Sequence, residues 1–387
     1  MADQFTTVTT KGYGSRIVDS IKGIGMGILL FLASFGVLYW NEGRVNLSDV
    51  AKDAVEIKAD VNTGEANGKL ISVNGKVVTD EKLGDSLYLK DGDYLAFSRN
   101  VEMYAWVQKT ESKSDKNLGG SETTNTTYTY VKEWTGSPAS SSDFQYPADH
   151  FNPTKTIESI NEKTVSAAKV GVYDLDMANI DLPEFSSVTM NDVNIGVPAG
   201  QGTLTGGYVF VPGVAVSGVA GTLAAPNVGD LRINFTVLKN NTDATVFGKL
   251  DGNKIIKFVD FERDNAELYR MFTSGGTDGA VGQLDKEHDI MTWVLRAVGF
   301  LMMWIGLGAL FGPLSALLDV VPFFGSLSRG IVGVITLVIS LVLSGATILI
   351  SMILHSLIAV IVTALVIVGI AVFIMKKKGH SPTVVRA

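Results

Sequence analysis

Apolar stretches long enough to cross a bilayer occur once near the start of this chain and then in a cluster near its end, and that spacing constrains the fold more than any other feature. Residues 23–40 are 18 without a charge and close on Tyr39 and Trp40; residues 293–311 are 19 with the single charge Arg296; residues 330–375 are 46 with none. At about 1.5 Å per helical residue the last run would reach roughly 69 Å, over twice the ~30 Å hydrocarbon core, so it must fold back into two spans. Four spans are expected, with most of the water-soluble chain between the first and the second.

Charge gives an orientation. Lys11, Arg16 and Lys22 precede the first stretch, and Lys376, Lys377, Lys378 and Arg386 follow the last, so the positive-inside rule places both ends in the cytoplasm. Residues 41–292 carry 36 acidic against 23 basic side chains, a net of −13, in a chain whose total is −7. An acidic domain facing away from the cytoplasm fits an even number of crossings. The first stretch lacks a small-x-small cleavage pattern before Trp40-Asn41-Glu42 and reads as a retained anchor. With no cysteine in 387 residues the domain cannot use disulfides and must be held by its core, which about 250 residues can supply.

Within that domain, alternation and turn signals predict mostly strand. Residues 69–78 read as two short strands about Asn74-Gly75. Residues 94–110 and 123–135 read as partners in a long hairpin separated by polar residues 112–121, and 231–238, 245–250 and 254–259 repeat the pattern with a tight turn at 251–253. Helices are expected over 156–169 and 261–272. Residues 193–229 carry no charge but many Gly, Pro and Ser, and read as buried strand and loop, since bare Gly and Pro backbone is poorly satisfied in hydrocarbon; a lid or membrane-touching loop is the lesser reading. The expected fold class is an α+β membrane protein: four transmembrane helices, one N-terminal and three C-terminal, with a large β-rich exoplasmic or periplasmic domain between the first and second. The expected organisation is a cytoplasmic segment over 1–22, spans over 23–40, 293–311, 330–353 and 356–375, the acidic domain over 41–292, a cytoplasmic loop over 312–329 and a basic cytoplasmic tail over 376–387.

Several motifs stand out against this frame. Asn41-Glu42-Gly43-Arg44 follows the first span; Gly43 suits a left-handed helix C-cap, and Arg44 can meet the last carbonyls or lipid phosphates. Further on come Glu102-Met103-Tyr104-Ala105-Trp106, Tyr128-Thr129-Tyr130 with Glu133-Trp134, His150-Phe151-Asn152-Pro153 and Gly229-Asp230-Leu231-Arg232. Thr292-Trp293 opens the second span with Arg296 one turn on. In this order and with these spans the chain closely resembles the LUMA, or transmembrane protein 43, family over nearly its whole length. The resemblance implies a multi-pass scaffold that self-associates and organises membrane protein complexes. Animal members are similar to inner-nuclear-membrane and endoplasmic-reticulum proteins with lamin- and emerin-linked partners, and bacterial relatives resemble envelope proteins acting in membrane stress or lipid sensing. The uncharged stretch 193–229 and the lack of a long nucleoplasmic tail depart from the animal pattern and weigh against nuclear partners, and the absence of cysteine fits a bacterial member; the expected location is the cytoplasmic membrane for a bacterial chain and the inner nuclear membrane or endoplasmic reticulum for a eukaryotic one.

Catalytic parts are sparse. His355 with Ser344 or Ser351 could form a base and nucleophile, but no Gly-x-Ser-Gly-like element accompanies Ser344, and His355 sits where a turn between spans is required. Asp91-Gly92-Asp93 and Asp174-Leu175-Asp176 lack the loop length and terminal Glu of a calcium hand and read as turn residues. Arg296, the one charge inside a span, lies near the interface beside Trp293 and reads as snorkelling, with an interhelical or headgroup contact as the competing reading. Trp106 and Trp134 are read as buried sheet-core aromatics. Small residues at Gly330, Gly333, Ser340, Ser344, Gly345 and Ala346 would let helices approach closely. The leading expectation is a non-enzymatic oligomeric scaffold without a cofactor or metal, whose partners are the bilayer, further copies of the chain and other membrane proteins, and not nucleic acid. A channel component and a membrane-bound hydrolase are the alternatives.

Overall fold

The computed structural model describes residues 3–62, 64–213, 219–273, 275–318 and 322–355, with backbone alone at 318 and 322–329. The chain opens with β1 (Asp3–Lys11), α1 (Tyr13–Glu42), α2 (Leu47–Ala51), β2 (Val55–Lys58) and β3 (Leu70–Val78). The long hairpin β4 (Tyr94–Lys116) and β5 (Glu122–Thr135) follows, then β6 (Ile160–Thr164), β7 (Ala168–Val170), β8 (Tyr173–Leu175), β9 (Ser186–Ser187), β10 (Thr203–Thr205) and β11 (Tyr208–Val211). Next are β12 (Leu231–Lys239), β13 (Thr242–Asp251), β14 (Lys254–Ile256), β15 (Phe258–Asp260), β16 (Ala266–Leu268) and β17 (Arg270–Phe272), and the helices α3 (Gly276–Leu310), α4 (Gly312–Leu318) and α5 (Pro322–His355). The fold is mixed α+β with a large β-rich domain. Two compact units are formed, one from Met1–Val8, Val45–Lys113 and Asn125–Lys286, the other from Thr9–Arg44, Ser114–Thr124 and Glu287–Ala387.

In the first unit one sheet runs β1-β5-β4-β12-β11-β10, with β6 also on β4 and β9 on β12. The other is held by β13, which pairs with β3, β14 and β17; through β8 and β7 the ladder returns to β3, so five strands close a ring. β12 and β13 are consecutive yet belong to different sheets. One core joins both, with Phe97, Val101, Met103, Ile233 and Phe235 from the open sheet and Ile71, Val73, Val246, Leu250 and Ile255 from the ring. Arg99 is buried on β4 with its Nη1 donating to both Asp85 carboxylate oxygens at 2.9 and 2.8 Å and its Nε and Nη2 to Glu158 O; a buried charge is tolerated only with such partners.

Three local expectations are corrected. Asn74-Gly75 is not a turn: β3 runs unbroken, with Ala244 opposite Gly75 and Thr245 opposite Asn74. Glycine serves a close approach there, since a Cβ would sit 3.0 Å from Ala59 Cβ and 3.2 Å from Val170 Cγ2. Residues 156–169 hold β6 and the start of β7, and Ile160, Thr164 and Val165 bring β-branched character that favours the pleat. Residues 261–272 form a turn and two strands; Asp264 and Asn265 both take positive φ, 51° and 54°, which turn-forming Asp and Asn tolerate. The expected long hairpin is present, with β4 reaching Lys116. Stretch 193–229 supplies β10 and β11, with Val209 and Phe210 buried, while Val193 and Val219 are exposed and 214–218 lie outside the described residues.

Among the described residues three helical segments are long and apolar enough to cross a membrane: Tyr13–Ala51, Gly276–Leu310 and Gly330–His355. The second expected span is the latter part of α3, whose helix begins 17 residues earlier, at Gly276. The expected fourth span over 356–375 and the tail over 376–387 lie outside the described residues. Within the second unit α1 and α3 touch through backbone: a Cβ on Gly306 would lie 2.7 Å from Phe31 N and 2.8 Å from Gly27 O. Leu38, Met303 and Leu307 form the buried centre of the bundle. The head is itself structured, as β1 beside β5 and as Arg16, whose Nε donates to Glu122 Oε2 at 2.9 Å.

Candidate functional site

The motif residues gather in two places, one in each unit. In the first unit, the imidazole of His150 lies 3.8 Å, centroid to centroid, from the ring of Tyr130 and nearly parallel to it, while Trp106 and Phe5 meet it edge-on. Tyr130 and His150 are both buried. Nδ1 of His150 lies 2.9 Å from Tyr146 O, an acceptor only, so that nitrogen carries the proton, and Nε2 faces Asp3 Oδ2 at 3.4 Å. The Tyr130 hydroxyl donates to Gln108 Oε1 at 2.7 Å and accepts from Tyr146 N at 2.8 Å. Asn152 mimics a strand: its Oδ1 accepts from Trp106 N at 2.8 Å and its Nδ2 donates to Trp106 O at 2.9 Å, pinning the 136–153 loop to β4.

Beside this cluster, Arg232 on β12 faces Glu102 on β4, its Nε donating to Glu102 Oε2 at 2.6 Å. Its guanidinium lies between the rings of Trp134 at 4.8 Å and Tyr208 at 5.0 Å, and Tyr104 packs on Trp134 at 5.3 Å. Asp230 is buried with both carboxylate oxygens satisfied, by Gly213 N and Asn227 N at 2.7 Å each. Gly229, at φ 99°, leaves room for Pro153, whose Cγ would be 2.8 Å from a Cβ. Met103 is in the core and Glu133 pairs with Lys109 at 2.8 Å. Trp106 and Trp134 are half-buried, a correction to their expected core position; strand alternation puts Met103 and Ala105 inward and leaves Tyr104 and Trp106 on the other face. A cleft of ≈ 570 Å³ opens here, lined by Trp106, Lys132, Phe151, Pro153, Pro212 and Val228 among others.

In the second unit three of the four residues after the first span, Asn41, Glu42 and Arg44, meet the start of the second. Arg296 donates twice to Glu42, Nε to Oε1 at 2.8 Å and Nη2 to Oε2 at 2.7 Å, and stacks over Trp293 at 4.9 Å. The Glu42 side chain is 4 % exposed. This corrects the snorkelling reading: the guanidinium crosses from α3 to α1. Asn41 Nδ2 donates to Thr292 O at 3.1 Å, and Arg44 Nη2 to Thr292 Oγ1 at 3.2 Å, so Arg44 reaches α3 rather than the last carbonyls of its own helix. Gly43 is not left-handed, with φ −97° and ψ 0°. Its bareness accommodates His355 instead, because a Cβ would lie in contact with Nε2 of that ring. His355 packs against Tyr39 at 4.5 Å, and its Nδ1 lies 2.9 Å from Ser351 O and 3.2 Å from Ser351 Oγ, while the Ser351 hydroxyl donates to Tyr39 O at 3.0 Å. Ser344 bonds Leu341 O.

Asp174 pairs with Lys169 and Asp93 with Lys82, and among the described residues no group of three or more His, Asp or Glu is placed to hold a metal ion. Phe5, Phe144 and Tyr146, which complete the aromatic cluster, carry no sequence signal that sets them apart from other strand and loop aromatics.

The model of the transmembrane protein 43 family matches residues 103–357, from β4 to the end of α5. The chain belongs to that family. Transmembrane protein 43 of Mus musculus is 24% identical over 345 residues, 83% of this chain and 82% of the mouse protein. The Homo sapiens protein is 25% identical over 341 residues, covering 83% and 81%, and the Drosophila melanogaster homolog 24% over 290, covering 72% and 74%. No solved structure matches the chain. The family read from spaced motifs is thereby confirmed, and with it a membrane protein.

Proposed function

We propose that this family member is a non-catalytic, self-associating membrane scaffold that organises other membrane or envelope proteins, with its domain presenting the binding surface. The observation that carries this reading is where the motif residues go. They are engaged in locking loops to β4 and α1 to α3, while Ser351 Oγ lies 3.0 Å from Tyr39 O and 3.2 Å from His355 Nδ1, which itself faces Ser351 O at 2.9 Å. Rigid junctions of this kind suit a protein whose work is to hold surfaces in place. Cross-linking in native membranes followed by mass spectrometry, together with native mass spectrometry in mild detergent, tests it: recurrent membrane-protein partners and more than one protomer are expected. A stable, partnerless monomer across detergents overturns it.

For orientation we propose both termini in the cytoplasm and the acidic domain outside, on the strength of the flanking Lys and Arg. The pairing of β1 with β5 and of Arg16 with Glu122 favours a second arrangement, with the head on the hairpin's side. Tags before Met1, within 112–121 and after Ala387, probed with an impermeant reagent, separate the two. The charge reading expects the outer tags to react together and the hairpin alone; the strand pairing expects the head to react with the hairpin. A hairpin tag and an Ala387 tag reached from one face would sink the charge reading.

A further inference from the structure

β1 ends its sheet, paired with β5 on one side only, and eight of its nine residues are exposed. From Gln4 to Thr10 it has no charge, no proline and no glycine, so it lacks the devices that usually blunt an open strand edge. Its only charges are opposite in sign and stand at its two ends, Asp3 and Lys11, equidistant from Thr7. We propose that this edge is a self-complementary interface, two copies of the chain pairing β1 with β1 antiparallel about Thr7.

That register sets Asp3 opposite the partner's Lys11 at both ends of the ladder. Between them Gln4 faces the partner's Thr10, Phe5 the partner's Thr9, Thr6 the partner's Val8, and Thr7 its own copy. Moving the centre to Val8 would set Asp3 against the partner's Tyr13, outside the strand, and lose both ion pairs. A two-fold axis through the strand centre is the isologous geometry most homodimers use, and Thr–Thr and opposite-charge pairs stabilise antiparallel neighbours. Asp3 faces His150 Nε2 at 3.4 Å and Lys11 pairs with Asp19 at 3.0 Å within the chain, but the two side chains remain 54 % and 62 % exposed, so a second chain can compete for both. The inference rests on the self-association proposed above and on the second of the two arrangements, with the head on the hairpin's side, and names the surface.

The natural absence of cysteine makes the test direct. Directly opposed residues in an antiparallel pair have Cα atoms about 4.5–5.5 Å apart, within disulfide reach, whereas eight strand positions separate by roughly 27 Å. In the full-length protein in membranes, Thr7→Cys should therefore cross-link to its own copy on mild oxidation. Asp3→Cys and Lys11→Cys should each stay monomeric alone and cross-link when co-expressed under different tags. In native mass spectrometry Asp3→Lys and Lys11→Asp should each lower the dimer fraction about threefold or more, and the double reversal should restore it. If Thr7→Cys fails to cross-link while the dimer persists, this edge is wrong and self-association stands. If the double reversal stays as weak as the singles, the register is overturned; a monomer throughout overturns both the edge and the self-association on which it rests.

Discussion

Around His150 the protein joins β1, β4, β5 and the 136–153 loop with stacked rings, a neutral amide and hydroxyls, whereas at the foot of α1 it joins three helices with a carboxylate, two guanidiniums and one glycine. Both clusters connect segments far apart in sequence, but their energetics differ. In the aromatic cluster the stabilisation comes from buried area and from neutral hydrogen bonds worth about 0.5–1.5 kcal/mol each. At the helix junction the ions carry a desolvation cost that their attraction roughly offsets, so the pair fixes which helix faces which more than it adds stability. The contrast fits location: a sheet domain has apolar neighbours to stack on, while a helix end at a membrane boundary has few means other than polar bonds to specify a partner.

Removing one ion should therefore produce the largest effect. Arg296→Met leaves Glu42 buried and unpaired, and should cost about 3–5 kcal/mol, while Glu42→Gln/Arg296→Met should recover most of it. Tyr130→Ala should cost a similar amount, as expected for truncating a fully buried aromatic, but no second substitution at Gln108 or His150 should restore it, because lost area has no compensating charge to remove. Thermal unfolding in one detergent compares all of these. Equal behaviour of the two double variants would erase the distinction between the junctions. Trp106→Ala and Trp134→Ala, being half-buried, should cost less than Tyr130→Ala.

The parts legible in the sequence are those whose signal is local. Apolar length announces the three spans among the described residues, and the alternation of residues 94–135 announces the long hairpin. Asn74-Gly75 was misleading because the same dipeptide that fits a tight turn also fits a central strand where neighbouring atoms crowd the Cβ position; only the strands on either side of β3 decide between these. Arg296 was visible as an unusual charge, but its partner lies 254 positions earlier, and nothing in either segment names the other. Gly43 is not the left-handed cap its position suggests: its bareness leaves space for His355, a residue 312 positions away.

The glycine offers an intermediate test of how tightly the helix junction is specified. Its φ of −97° is open to any residue, so Gly43→Ala adds no backbone strain, and its effect reads the His355 contact alone. Overpacking of this kind typically costs about 1–3 kcal/mol. His355→Asn alone should be nearly neutral, and in its presence Gly43→Ala should become harmless. A penalty that persists in the double variant would show that the space at Gly43 serves something other than His355. Midpoints of thermal unfolding for the four proteins close the cycle.

The smallest expected effect is a pH response, and it probes the domain side of the contrast. If the aromatic junction depends on neutral groups, acid sensitivity of the domain must come from carboxylates that accept hydrogen bonds elsewhere. Glu81 is one: its oxygens take the Ser166 hydroxyl, Ser166 N at 2.9 Å and Ala167 N at 3.0 Å, holding the loop between β6 and β7 to the residues after β3. The Ser166 hydroxyl first, and then the two backbone N–H groups, hold its carboxyl below the ordinary glutamate value despite some desolvation. A lowered carboxylate stabilises the fold fully at pH above its unfolded value, and that contribution is lost as pH falls through its folded value. Partial exposure to solvent keeps the effect small. Glu81→Gln should therefore lower the melting temperature slightly near neutrality, and the gap to wild type should close as the pH is taken below the glutamate range. A gap that stays constant with pH would mean that the Glu81 charge contributes nothing, and that the acid response has its origin in other carboxylates.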